Sequence, residues 1–228
     1  MIVDSMNDQE ITKAVLSEKE YVLRCCSNKY VKQFKDTVLH TNTFPCTQTY
    51  KCKTPNSQIE YSISMRAEKR GEHSTPSYSI YVLYRWHGGV YAAQVENDWK
   101  SVTIFPPHFF ERYRERILKD TTMPIETVIP KFFAKFFGYC DMWLDKNKQQ
   151  LMEKIFPDEE VDMVGAYHEG MIFGKNHDNY CIARTVISFD EFKENQWPQF
   201  NQLFDGLVNL TNPEFVLRYF NSIKSESN

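Results

Sequence analysis

Ile59-Glu60-Tyr61-Ser62-Ile63-Ser64-Met65 alternates apolar and polar residues, and after a break from Gly71 to Pro76 the segment Ile80-Tyr81-Val82-Leu83-Tyr84 takes up the same pattern. A period of two places Ile59, Tyr61, Ile63 and Met65 on one side of an extended chain, as a half-buried strand requires. Gly88-Gly89 supplies a turn, and Tyr91, Ala93 and Val95 return along a neighbouring strand. Trp99 to Phe105 reads as one more strand, closed by Pro106-Pro107. This run is an antiparallel meander, and it decides the fold class.

The pattern changes on both sides of the meander. Upstream, Ile11, Val15, Val22, Tyr30, Phe34 and Val38 recur at helical spacing among charged residues. They predict one or two helices, with Ser17-Glu18-Lys19-Glu20 as a capping box between them. Thr41 to Ser57, with several Thr, Pro45 and Pro55-Asn56, reads as a connection. Downstream, His108 to Lys119 predicts a helix, Pro124 to Leu144 an aromatic-rich helix, and Asp145 to Phe156 another. Val161 to Ala166, Met171 to Gly174 and Tyr180 to Ser188 predict short strands, and Phe189 to Phe220 a helical C-terminus. Strands and helices come in blocks, which predicts an α+β fold with antiparallel sheet packed against helices. The expected organisation is an N-terminal helical segment, 1–57, and a single α+β domain, 58–228, with one domain overall as the alternative.

Composition narrows the functional classes. The 228 residues carry 27 basic and 30 acidic side chains, a net charge of −3, so the chain is not basic throughout and any nucleic-acid contact needs a local patch. Lys51, Lys53, Arg66, Lys69 and Arg70, interleaved with Tyr50 and Tyr61, form one such stretch, and a solvated strand edge is the better explanation of them. The longest apolar zone, Ile125 to Leu144, is cut by charges and Pro130, so no membrane span is expected. The N-terminal residues have no signal-peptide pattern. Six cysteines without a CxxC pair are then expected to be reduced thiols of a cytoplasmic protein. His168, Glu169, His177, Asp178 and Cys181 are metal-ligand types, but their spacing fits no zinc pattern and predicts turn residues. No glycine-rich phosphate loop occurs, and no cofactor is expected.

The densest chemistry is Pro107-His108-Phe109-Phe110-Glu111-Arg112-Tyr113-Arg114-Glu115-Arg116-Ile117. On a helix, Phe109, Phe110, Tyr113 and Ile117 form an apolar stripe, while His108, Glu111, Arg112 and Glu115 gather opposite, with Arg116 at their edge. Histidine exchanges a proton near neutral pH, and arginine binds phosphate oxygens bidentately. A surface helix with Glu and Arg neighbours three and four residues apart shows the same spacing.

The run His108-x-x-x-Arg112-x-x-Glu115-Arg116, following a strand and a short turn, resembles the helix of small toxin-like domains related to the BrnT and RelE-type bacterial ribonuclease toxins. The resemblance spans roughly residues 100–190. It implies a helix preceding a twisted antiparallel sheet whose later strand carries a Thr-Val pair, here within Ile182-Ala183-Arg184-Thr185-Val186-Ile187-Ser188. It further implies a metal-independent ribonuclease whose catalytic candidates are His108, Arg112, Glu115 and Arg116. His108 would move protons, the arginines would hold the phosphate, and Arg184 or Thr185 would form the second wall. The chain departs from such toxins in the segment Pro124 to Phe156, in its length and in its acidic balance. These departures make a non-catalytic binding or regulatory domain, with RNA or a protein as its partner, the leading expectation. In it Phe132 to Trp143 would serve as an interface. A ribonuclease and a structural protein of a mobile element are the alternatives.

Overall fold

The computed structural model describes residues 2–136, 140–143, 146, 149–150, 152, 160–167, 169–188 and 191. Nine strands form one sheet: β1 (Cys46–Lys53), β2 (Glu60–Ala67), β3 (Ser77–Trp86), β4 (Gly89–Val95), β5 (Val102–Phe105), β6 (Cys140–Trp143), β7 (Met163–Tyr167), β8 (Gly170–Asn176) and β9 (Tyr180–Ser188). Their order is β1-β2-β3-β4-β5-β9-β8-β7-β6. Every neighbouring pair is antiparallel except β5 and β9, which run parallel with Val102 opposite Tyr180 and Thr103 opposite Cys181. Two antiparallel meanders therefore meet at one parallel seam, and the fold is α+β.

Helices cover both faces. On one lie α1 (Asp8–Leu16), α2 (Lys19–Cys25) and α3 (Val31–His40), the last two joined through a π-helical turn at Cys26–Tyr30. On the other lie α4 (Pro107–Tyr113), prolonged by a π turn at Arg114–Leu118, and α5 (Ile125–Phe133). Strand alternation divides the apolar side chains between two cores. Ile80, Val82, Ala93 and Ile104 join Ile11, Val15, Val22, Phe34 and Val38 in the first. Tyr81, Ala92 and Phe105, their immediate chain neighbours, join Phe109, Phe110, Tyr113, Val128, Ile129 and Phe132 in the second. The strand residues between the covering helices are buried on both faces for this reason. Tyr61 ties the layers further, donating its buried hydroxyl to the Val15 carbonyl at 2.6 Å.

Several sequence expectations need correction. The segment expected as a connection holds β1, an edge strand; only one face meets the core, at Cys46, Tyr50 and Cys52, so its apolar alternation is thin. The capping box is formed by Asn7 and Glu10, not at Ser17, whose hydroxyl donates to the Ala14 carbonyl. The helix expected over Pro124 to Leu144 ends at Phe133, and Cys140–Trp143 is the sheet's other edge strand. The helices expected over Asp145 to Phe156 and Phe189 to Phe220 lie largely outside the described residues.

A bulge breaks β9. Phe173 pairs with Thr185 and Gly174 with Ala183, which leaves Arg184 without a cross-strand partner. The extra residue shifts the alternation, so Ala183 and Val186, three apart, both enter the α4-side core. Gly174 is required there, because a Cβ would stand 2.5 Å from the Ile182 carbonyl oxygen.

Candidate functional site

Pro106 and Pro107 start α4 directly after β5, since proline at the first helical position gives up an N–H that would lack a partner anyway. The helix then lies on the sheet with Phe109, Phe110 and Tyr113 fully buried and Ile117 half-buried. The π turn explains Ile117. One extra residue per turn rotates everything beyond Arg114 relative to an α-helical wheel.

The same rotation separates the candidate residues. His108 is exposed at the start of the helix. Arg112, about half exposed, donates to Glu115 at 3.2 Å. Arg116 turns instead to β9, where one Nη1 donates to the Thr185 hydroxyl at 3.2 Å and to the Val186 carbonyl at 2.8 Å. The structure therefore brings Arg116 to Thr185 and Arg112 to Glu115. Arg184, the bulged residue, is not part of either pair. Its guanidinium acts electrostatically on Asp8 and Glu160, and its Nε is buried without an acceptor.

A polar clamp that the sequence did not reveal sits beside this face. The Tyr113 hydroxyl donates to Glu169 Oε2 at 2.8 Å, and Lys135 Nζ donates to Oε1 at 2.6 Å. Burial and the adjacent Glu169 charge push the Tyr113 phenol well above its ordinary range, so it remains a donor at any physiological pH. The clamp ties α4 and the end of α5 to the β7–β8 turn. No sequence signal couples Tyr113 to Glu169: a tyrosine in an apolar stripe reads as core, and a glutamate before glycine reads as a turn.

Most of the basic stretch near β1 already has partners. Lys51 meets Glu60 at 3.2 Å, Arg66 meets Glu68 at 2.6 Å, and Arg70 donates to Thr41 and Asn42. Phe132, Phe133 and Phe136 are fully buried, so this part of the expected interface is core. Phe137, Tyr139 and Leu144 lie outside the described residues, as does His168. Among the described residues no group of His, Cys, Asp and Glu is placed to hold a metal ion. Cys25, Cys26, Cys46, Cys52 and Cys181 are not in disulfides; burial pushes the thiols of Cys26 and Cys52 up to about 12. Among the described residues no helix is long and apolar enough to cross a membrane.

The parallel seam also shapes the surface. Because β5 and β9 start at the same end of the sheet, the turns leading into them converge, and a cleft of about 450 Å³ opens between them. No family model, curated protein or solved structure matches the chain. The function must therefore be argued from the geometry alone.

Proposed function

We propose that this chain is a non-catalytic binding or regulatory domain on a toxin-like scaffold, with metal-independent RNA cleavage as the competing reading. What supports the proposal is the use of the arginines. Phosphodiester cleavage needs a proton-transfer group and a cation free to converge on one phosphate. Arg116 is committed to the sheet through Thr185 and the Val186 backbone, Arg112 to Glu115, and His108 stands apart in solvent. The Arg116 bonds serve packing: they dock the end of the helix onto β9. A phosphate-binding arginine in a nuclease keeps its fork open toward substrate.

The test is incubation of the purified chain with single-stranded RNA in the presence of a chelator, beside His108→Ala and Arg112→Ala. The binding-domain reading expects no cleavage above buffer. Cleavage that both substitutions reduce by about tenfold, which is about 1.4 kcal/mol of transition-state stabilisation, would establish the ribonuclease instead.

A further inference from the structure

We propose that Cys25 and Cys52 are a peroxide-responsive thiol pair, which closes to an intramolecular disulfide and so staples α2 to the edge strand β1. Cys25 is the last residue of α2, and Cys52 lies near the end of β1. The fold brings their sulfurs together. The Cys52 thiol donates a hydrogen bond to the Cys25 sulfur, and the Tyr21 hydroxyl donates to that same sulfur. Sulfurs in hydrogen-bond contact need only a short approach to reach the disulfide length of about 2.05 Å.

The backbones carrying the two thiols are fixed to each other. The π turn Cys26–Tyr30 follows Cys25 directly. At its end the buried Tyr30 donates to the Lys51 carbonyl at 2.6 Å and stacks on Tyr50, with ring centroids 5.0 Å apart. Tyr50 and Lys51 immediately precede Cys52, so the turn beside one cysteine is clamped to the strand residues beside the other. π turns within helices recur at functional sites.

Exposure divides the labour between the two sulfurs. Cys25 is half-buried and within reach of a small oxidant, whereas Cys52 is 3% exposed and is not. Burial also disfavours the Cys52 thiolate, with the Tyr30 hydroxyl and the Lys29 ammonium acting the other way, so Cys52 keeps its proton until its neighbour is oxidised. Cys26 is buried close by, but on the helix its side chain projects about a quarter turn away from that of Cys25. The chemistry balances. The Cys25 thiolate attacks a peroxide oxygen, the O–O bond breaks, and Cys25 becomes a sulfenic acid while the leaving oxygen takes up a proton. The Cys52 sulfur then attacks the Cys25 sulfur, the S–O bond breaks, and water leaves with the Cys52 proton. Two thiols and one hydrogen peroxide give one disulfide and two waters. Contact makes the second step an intramolecular one, ahead of further oxidation of Cys25.

The pair is separate from the α4 site and its test involves no RNA, so it stands or falls independently of the binding-domain reading. The full chain would be reduced, diluted and exposed to hydrogen peroxide. Remaining thiols are then alkylated, and tryptic peptides are weighed with and without dithiothreitol. We expect a dithiothreitol-reversible link between peptide 25–29 and the peptide holding Cys52. The thermal midpoint should rise by about 4–15 °C, because the bond constrains the unfolded chain between α2 and β1. Cys26→Ser should form the same link, while Cys25→Ser and Cys52→Ala should form none. Cys25 is half-buried, so Cys25→Ser keeps the test decisive even where loss of Cys52 unsettles the fold. Absence of the link in the wild-type chain, a link that survives Cys25→Ser, a bridge between two chains, or Cys25 found as sulfinic acid beside an unmodified Cys52 overturns the proposal.

Discussion

Arg116 offers the sharpest discrimination between a structural and a catalytic guanidinium. Its Nη1 makes two bonds across to β9, one of them to a backbone carbonyl at 2.8 Å, and the side chain is 28% exposed. Hydrogen bonds from charged groups contribute about 1.5–3 kcal/mol when well buried. Partial solvent access and the looser 3.2 Å bond to Thr185 reduce that, so Arg116→Met should cost about 1–2 kcal/mol. Methionine keeps much of the aliphatic stem, so the loss reports the guanidinium rather than a cavity. Arg112→Met is the control. That side chain is 52% exposed and its partner Glu115 41% exposed, with one bond of 3.2 Å. Exposed pairs of this kind contribute about 0–1 kcal/mol, and we expect the low end. Urea unfolding followed by tryptophan fluorescence measures both variants, with an unchanged slope as the sign that the unfolded state is unaltered. In heat, the Arg116 variant should melt about 2–8 °C lower. Equal costs for the two substitutions, or an Arg116 cost below about 0.5 kcal/mol, would mean that the bonds to β9 hold nothing together. The guanidinium would then be free for phosphate.

Phe132 lies at the centre of the α4–α5 core, with seven aromatic rings centred between 4.6 and 6.2 Å from its own. Phe132→Ala should cost about 3–5 kcal/mol in the same assay; a loss below about 1 kcal/mol would contradict its placement. Burial raises the Asp8 carboxyl above its usual range, against the opposing pull of His177 and Arg184. A raised folded-state pKa means that the folded chain binds the proton more tightly than the unfolded chain. Ionised Asp8 therefore subtracts stability, an effect absent at low pH that grows as pH rises through the folded-state value. The stability of Asp8→Asn relative to wild type should accordingly increase between about pH 3 and pH 7; a difference that stays flat or shrinks over this range speaks against desolvation of this half-buried carboxylate.

Local periodicity was enough for much of the fold. Ile80 and Val82 on one side and the helical repeat Ile11, Val15, Val22, Phe34, Val38 are written in the chain because a strand or helix face must be apolar wherever it meets a core. The stripe Phe109, Phe110, Tyr113 was legible for the same reason. β1 was not, since an edge strand with one core face needs few apolar residues. The strand at Cys140–Trp143 was not either, since an aromatic-rich run of that length has no period that separates helix from strand.

The sites depended on tertiary structure more strongly still. A helical wheel set Arg116 beside His108 and Arg112, and a π turn, which hydrogen bonding and packing select and no spacing announces, carried it to Thr185. The Tyr113–Glu169–Lys135 clamp joins residues up to 56 positions apart. The seam cleft joins turns that become neighbours only because the two meanders meet through parallel strands. By itself the sequence determined which faces are apolar, because burial of a face is a local property of the chain. Which polar residues meet was decided by the order and direction of the strands, because hydrogen bonds and charges act over a few ångströms and only the assembled sheet brings distant turns that close.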